Sequence, residues 1–229
     1  MIPLRVDILR TRFAWVNGLL ILVNVFAFLH ELALSPKAGR ALVYSFGIIP
    51  AHEQLLFAPH GISLGQAMVP LFTSMFLHGG WLHLLGNMLF LWVFGGAVEE
   101  ALGHFHYLIF YLVCGVGSAL AHTAFNLGSK VPTIGASGAI SGVMGAFIIL
   151  FPRSRVTTLI PALLLFFTVH IPAYLMLGYW FLLQFFSGVA SLKMTDQGGV
   201  AWWAHVGGFV LGALLVVGVR TKMRSRAYS

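Results

Sequence analysis

The chain has 229 residues, of which 59% are hydrophobic and only 8% are charged. Soluble domains carry roughly a quarter charged residues, so this composition excludes an ordinary soluble enzyme or binding module. The formal net charge is +7, but the basic residues lie at the ends of apolar runs, which excludes a nucleic-acid-binding patch. Several apolar runs exceed the ~20 residues of a membrane-spanning helix, so we predict a single polytopic membrane domain over residues 1–229.

Six membrane-spanning helices are predicted, which makes the fold class an all-α membrane bundle. The first span is longer than the apolar part of a signal peptide and indicates a retained anchor. The connection 34–80 contains four prolines and many apolar residues, which predicts a segment partly embedded in the membrane interface. The fourth span is short and rich in small residues. The predicted spans are about 13–33, 81–98, 105–124, 135–151, 171–190 and 201–219.

Residues 156–190 are too long for one helix and are interrupted by Pro161, His170 and Pro172. We predict an interfacial or partly embedded approach over 156–170, followed by one span. Two spans here would reverse the last helix and place His205 roughly 30 Å from Ser137.

The positive-inside rule orients the bundle, because six spans put both termini on one side. Both termini are predicted to be cytoplasmic, in a multi-pass protein of a bacterial inner membrane. The basic residues predicted inside are Arg5, Arg10, Arg12, Arg153, Arg155, Arg220, Lys222, Arg224 and Arg226. Those predicted outside are Lys37, Arg40, Lys130 and Lys193.

The small-residue stretch 135–145 allows two interpretations. Ser137, Ser141 and Gly145 recur every four residues, so they share one helical face and could form a seam for close helix packing. Alternatively, Ser137 is a nucleophile at a helix start, where glycines expose backbone N–H groups. The stretch alone does not decide between them.

Polar residues cluster at the predicted outer ends of spans two, four and six. Intramembrane polar residues are costly and are functional candidates by default. A serine becomes nucleophilic when a base takes its proton, and neutral histidine suits that role. The glycines Gly208 and Gly212, one turn apart, predict that the last span packs closely on the fourth. The clustered residues are His78, His83, Asn87, Ser137 and His205.

This pattern favours acyl transfer, with His205 activating Ser137. The backbone N–H of Ser137 and the side chains of His83 and Asn87 are candidate donors to an oxyanion. No zinc-binding His-Glu-x-x-His motif occurs, and both aspartates, Asp7 and Asp196, lie outside the spans, so we predict neither a metal nor another cofactor. The remaining histidines are interpreted as packing or interface residues; they include His30, His104, His106, His122 and His170.

Three segments resemble the rhomboid intramembrane serine proteases. They are 78–87 (HGGWLHLLGN), 135–138 (GASG) and 204–208 (AHVGG). The turn 99–103 and the segment 172–184 are also similar, so the resemblance covers most of residues 70–215.

The resemblance implies a six-helix rhomboid-like bundle that cuts transmembrane segments of membrane proteins near the outer face. Ser137 would be the nucleophile and His205 the base. His83, Asn87 and the Ser137 N–H would form the oxyanion hole. Span five and the loop 191–200 would form a lateral gate and cap. The implied supporting residues are Gly135, Gly138 and Gly208, together with His78, whose side chain would stabilise the first loop and point away from His83.

Two positions depart from the family's pattern. Many members carry an arginine shortly before the first histidine motif, where this chain has 68–71 (MVPL). Some members place an aromatic residue one turn after the serine, where this chain has Ser141. The orientation of His205 must therefore come from packing or from another hydrogen bond.

Two other functions are compatible with a polar membrane protein. A non-catalytic relative would bind transmembrane helices without cutting them, although both residues of the pair are present here. A small transporter should show paired repeats or discontinuous helices near the membrane midplane, whereas the polar cluster here is shallow and one-sided.

Overall fold

The structure is a computed structural model that describes residues 1–9, 11–53, 63–162, 165–192 and 200–220. The helices are α1 (Trp15–Ala33), α2 (Pro36–Phe46), α3 (Pro50–Glu53), α4 (Leu64–Thr73), α5 (Trp81–Phe90), α6 (Gly96–Leu102), α7 (His104–Phe125), α8 (Ser137–Leu150), α9 (Ala173–Ser191) and α10 (Trp202–Leu215). The strands are β1 (Ile2–Val6), β2 (Arg155–Ala162) and β3 (Leu165–Pro172). Arg10, Lys193, most of the loop 191–200 and the basic residues 222–226 lie outside the described ranges.

Among the described residues, five helices are long and apolar enough to cross a membrane. They are Trp15–Ala33, Trp81–Leu102, His104–Phe125, Ala173–Ser191 and Trp202–Arg220. Two further apolar helices are shorter, Leu64–Phe76 and α8. Helix α8 has 14 residues and spans about 21 Å at ~1.5 Å per residue. The predicted all-α bundle is thus confirmed.

Helix α8 lies at the centre of the bundle and packs against α7 and α10, which also contact each other. Nearly all of its side chains are buried, and many are small because neighbouring backbones pass at close range. A Cβ atom added to Gly208 would overlap the carbonyl oxygen of Gly138, and one added to Gly212 would overlap that of Gly142. These glycines let the α8 and α10 backbones meet, as small residues do between helices in membranes.

A polar network ties α1 to the long helix formed by α5 and α6. The carboxylate of Glu99 is fully buried and accepts hydrogen bonds from the backbone N–H groups of Val16 at 3.1 Å and Asn17 at 2.7 Å. It thereby satisfies two of the unpaired N–H groups at the start of α1. A π-helical turn, Leu91–Gly95, connects α5 to α6, and the Asn17 amide donates to the Leu91 carbonyl at 3.1 Å.

Residues 156–170, predicted as an interfacial or partly embedded approach, form most of the β2–β3 hairpin, a strand structure that the sequence analysis did not assign. Its β-branched residues favour extended backbone, and Pro161 is unfavourable inside a helix. β1 adds to the hairpin as a third antiparallel strand, with Val6 paired with Val156 and Val156 paired with Ile171. A small sheet therefore accompanies the helical bundle and joins the N-terminal residues to the connection between α8 and α9.

In its described residues, the connection 34–80 contains three α-helices, α2, α3 and α4, and the 3₁₀ helix Ser74–Phe76, none of which the sequence analysis resolved. Ser63 and Gln66 form a capping box at the start of α4, with the Ser63 N–H donating to the Gln66 side chain at 2.8 Å. The Thr73 hydroxyl donates to the Phe46 carbonyl at 2.8 Å and joins the end of α4 to the end of α2. These local bonds fix the start and the end of α4.

Candidate active site

Ser137 is the first residue of α8, and a turn made by Gly135 precedes it. Gly135 has a φ of +125°, a conformation that residues with a side chain rarely adopt. Its N–H donates to the carbonyl of Ser74 at 2.9 Å. The backbone N–H of Ser137 belongs to the N-terminal N–H groups of α8, which have no acceptor within the helix. The helix macrodipole adds a partial positive charge at this point.

The side chains of Ser137 and His205 meet across the seam between α8 and α10. His205 lies in the first turn of α10, and its Nε2 atom is 2.8 Å from Ser137 Oγ. The imidazole is 9% exposed, so bulk water has little access to the pair. The hydroxyl and the ring nitrogen are at the distance of an O–H···N hydrogen bond, which is the geometry that a general base needs.

The other nitrogen of His205 contacts a residue that the sequence analysis did not assign. His205 Nδ1 is 2.7 Å from Oε1 of Gln184, which projects from α9. The ring of Trp180, one turn earlier on α9, lies beside the imidazole with a centroid separation of 5.8 Å. An amide inside an otherwise apolar helix was the available signal for Gln184, since intramembrane polar groups require partners.

Two side chains of α5 approach the turn in front of Ser137. A Cβ atom placed on Gly135 would lie 2.6 Å from His83 Nε2 and 3.7 Å from Asn87 Nδ2. His83 Nδ1 accepts a hydrogen bond from the Gly79 N–H at 3.4 Å, which leaves the ring proton on Nε2. Two N–H donors, one from His83 and one from Asn87, therefore converge on the glycine turn.

His78 contacts the same cluster. Its Nε2 atom accepts a hydrogen bond from the Asn87 amide at 3.0 Å, and its backbone N–H donates to the Glu31 carboxylate at 3.1 Å. The ring also packs edge-on against His83 with a centroid separation of 5.0 Å, so the side chain does not point away from His83 as expected. Burial, with a smaller effect from His83, lowers the pKa of His78 to about 4, so its ring is neutral at pH 7.

A small cavity of about 30 Å³ adjoins Ser137. It is lined in part by polar side chains, including those of Ser118, His122 and Thr133. The Thr133 hydroxyl is 2.9 Å from His122 Nε2, which orients both groups on the cavity wall. A polar cavity of this size has room for a water molecule.

Other predicted residues lie in packing positions. A Cβ atom on Gly138 would overlap the Ser118 hydroxyl, so Gly138 serves close contact between α8 and α7. His104 pairs with Glu99 at 2.5 Å, away from Ser137. Within the described ranges, no three His, Cys, Asp or Glu side chains come together as a metal site would require.

The family model of the Rhomboid domain matches residues 65–222. This match covers more than half of the 229 residues and includes every residue of the cluster around Ser137. The chain belongs to the rhomboid family. Together with the five long apolar helices, this makes it an integral membrane protein.

Curated rhomboid relatives are similar over different lengths. RHOMBOID-like protein 1 of Arabidopsis thaliana is 26% identical over 89% of this chain and 52% of its own length. Rhomboid protein 1, mitochondrial, of Saccharomyces cerevisiae is 30% identical over 64% of this chain and 40% of its own length. Rhomboid protease GluP of Bacillus subtilis is 42% identical over 34% of this chain and 15% of its own length. The chain thus spans about half the length, or less, of these rhomboid relatives.

Proposed function

We propose that this rhomboid is an intramembrane serine endopeptidase that cuts transmembrane segments of other membrane proteins. The observation that carries the proposal is the 2.8 Å contact between Ser137 Oγ and His205 Nε2, inside an apolar bundle. A serine hydroxyl beside a neutral imidazole is the minimal apparatus for nucleophilic acyl transfer. The relative named a rhomboid protease supports the same reaction class.

In the proposed reaction, Ser137 Oγ attacks the carbonyl carbon of the scissile peptide bond while its proton passes to His205 Nε2. The C–N bond then breaks, and His205 returns this proton to the departing amine. Water attacks the acyl-serine ester with His205 again as base, which releases the carboxylic acid and restores the hydroxyl of Ser137. Each proton that His205 accepts is given back, so the dyad needs no cofactor.

The carbonyl oxygen becomes negatively charged during both attacks and requires hydrogen-bond donors. The backbone N–H of Ser137 is one candidate, and the α8 macrodipole favours negative charge there. The His83 Nε2–H and the Asn87 amide are the other two, because both side chains converge on Gly135. The loss of one such donor typically costs about 10²–10³-fold in kcat. The cavity beside Ser137 would supply the hydrolytic water.

The proposed substrates are transmembrane segments that enter from the lipid bilayer. A peptide bond in a helix is shielded by the helical hydrogen-bond ladder, so helix-breaking residues near the cut should favour cleavage. The proposed location is a bacterial inner membrane with both termini in the cytoplasm and the cut near the outer face. The exposed Arg153 after α8 and the exposed Lys37 after α1 fit this orientation under the positive-inside rule.

The test is cleavage of a transmembrane substrate by the purified full chain in detergent and in proteoliposomes. The wild type should cleave it and react with a fluorophosphonate, and Ser137→Ala and His205→Ala should do neither. Ser154→Ala, at the other end of α8, serves as the matched control and should retain the activity. Equal cleavage by the wild type and Ser137→Ala would overturn the proposal.

A further inference from the structure

The geometry points to Gln184 as a positioning residue that holds His205 in the tautomer and orientation needed for base catalysis. This inference rests on the proposed protease function. Gln184 Oε1 lies 2.7 Å from His205 Nδ1, and the Gln184 side chain is 8% exposed. The amide and the imidazole are therefore both shielded from bulk water. Because water does not compete for their hydrogen bond, this bond determines the orientation of the imidazole ring.

The chemistry of imidazole assigns the direction of this hydrogen bond. The amide oxygen of Gln184 has no proton to donate, so His205 Nδ1 must carry the proton. A neutral imidazole with its proton on Nδ1 has its lone pair on Nε2, the atom 2.8 Å from Ser137 Oγ. Without an acceptor at Nδ1, the proton could instead reside on Nε2, and that tautomer cannot take the proton of the serine hydroxyl.

The same contact also stabilises the protonated intermediate. When His205 takes the Ser137 proton, its Nδ1–H becomes a charged donor, and hydrogen bonds from charged donors are roughly twice as strong as neutral ones. Gln184 Oε1 thus stabilises the imidazolium at the moment when the tetrahedral intermediate forms. A neutral amide achieves this without placing a buried carboxylate in the membrane.

The three hydrogen-bonded side chains come from three helices: Ser137 is on α8, His205 is on α10 and Gln184 is on α9. Trp180, one helical turn before Gln184, contacts the same imidazole, so α9 limits both the rotation and the tilt of the ring. An aromatic group beside the base is therefore contributed from α9 rather than from position 141. Ser141 instead donates to the Ser137 carbonyl at 2.6 Å.

The test compares Gln184→Leu, which removes the acceptor, with Gln184→Glu, which retains a carbonyl oxygen at similar reach. Gln184→Asn, whose side chain is one methylene shorter, is a second variant that withdraws the acceptor and keeps the inference testable if leucine at this position impairs folding. Leu19→Ala, a change in a half-exposed leucine on α1, outside the proposed gate, is the matched control. The full chain is purified in detergent, its folding is checked by thermal unfolding, and fluorophosphonate inactivation and substrate cleavage are measured.

Gln184→Leu and Gln184→Asn should lower kcat and the maximal inactivation rate by about tenfold or more, since they remove part of the ~10²–10⁴-fold effect of general base catalysis. KM should change less than twofold, because substrate contacts are retained. Gln184→Glu should recover most of the rate, and Leu19→Ala should match the wild type. Unchanged kcat in folded Gln184→Leu would overturn the inference.

A second readout reports on the tautomer directly. In ¹⁵N-histidine spectra of the Ser137→Ala protein, the resonances lost on adding His205→Gln identify His205. They should show a proton on Nδ1. Adding Gln184→Leu should shift the population toward the tautomer with its proton on Nε2. Identical His205 spectra with and without Gln184→Leu would contradict the positioning role. If the wild type neither cleaves nor reacts with fluorophosphonate, the proposed function fails, whereas the spectra still test the contact between Gln184 and His205.

Discussion

Both ring nitrogens of His205 are engaged, and their partners, Ser137 and Gln184, come from different helices. The pairing with Ser137 could be predicted, because both residues lie at corresponding ends of helices that run in the same direction. The contact with Gln184 could not, because the sequence does not say how α9 is rotated against α10. An amide in an apolar helix indicates only that some partner exists.

His78 is expected to make folding stability depend on pH. The unfolded His78 takes up a proton as the pH falls below about 6.5, whereas the buried ring remains neutral until about pH 4. The unfolded state therefore binds more protons in this window, so the free energy of unfolding should fall from pH 6.5 to pH 4, by up to ~1.4 kcal/mol per pH unit. Denaturant unfolding in detergent at several pH values measures this slope.

The comparison that isolates His78 uses His78→Gln, which keeps a side-chain oxygen for the Asn87 amide and does not titrate. The slope between pH 6.5 and 4 should be shallower in this variant than in the wild type. His106→Gln, which changes an exposed histidine, should retain the wild-type slope. Equal slopes in His78→Gln and the wild type would contradict the assignment.

At the scale of elements, the contact between α8 and α10 determines whether the dyad can form. The Gly208 and Gly212 spacing predicted a close approach, because small residues one turn apart permit helix backbones to meet. Gly142 and Gly138 occupy the facing positions on α8. In this element, packing and the proposed catalysis depend on the same residues, so the two interpretations of the stretch 135–145 are compatible.

Gly212→Ala should force α8 and α10 apart, since the new methyl group would overlap the Gly142 backbone. Overpacking of this kind costs about 1–3 kcal/mol of unfolding free energy. A shift of about 1 Å in a catalytic pair can lower the rate 10²-fold, so we expect at least a tenfold lower rate of fluorophosphonate reaction. Unfolding and labelling of the same preparation measure both effects.

Gly218→Ala is the control for this change, because it lies six residues further along the chain and a Cβ atom there has no neighbour within 4 Å. It should leave both the unfolding free energy and the labelling rate near the wild-type values. A Gly212→Ala protein that labels as fast as Gly218→Ala would show that the close contact is not needed for the dyad.

The hairpin shows where sequence reasoning on the elements was insufficient. Its apolar residues and its length suggested a membrane-associated approach to α9, but its β-branched residues also suit strands. The hairpin also forms a sheet with β1, which lies about 150 residues earlier in the chain and pairs along β2. Long-range pairing of this kind leaves no periodic signal in either segment alone.

At the scale of the whole molecule, the positions and order of the five long apolar helices followed from hydropathy, because a bilayer requires long uninterrupted apolar helices. The internal structure of the connection 34–80 did not, since its short helices are fixed by capping groups, by contacts of α3 and α4 with α7, and by contacts between α2 and α4. The sequence predicted that His83, Asn87, Ser137 and His205 lie near the ends of neighbouring helices, and the structure places these side chains around the start of α8.

Cysteine labelling tests the proposed orientation of the molecule in the membrane. In a Cys114→Ala background, Lys37→Cys should react with a membrane-impermeant maleimide in intact cells, whereas Arg153→Cys should react only after lysis. Positive residues are retained on the cytoplasmic side, and Arg153 has Arg155 beside it. The Cys114→Ala protein alone sets the background signal. Labelling of Arg153→Cys in intact cells would reverse the orientation.

The π-helical turn Leu91–Gly95 determines how the side chains of α5 are rotated about the helix axis relative to those of α6. Asn87 and His83 precede this turn, and Glu99, which fixes the start of α1, follows it. A π turn accommodates one extra residue, and each residue of an α-helix advances the direction of its side chain by about 100°. A one-residue deletion here would convert the turn to regular α-helix and, with Glu99 held in place, swing His83 and Asn87, the two proposed side-chain donors, away from Ser137.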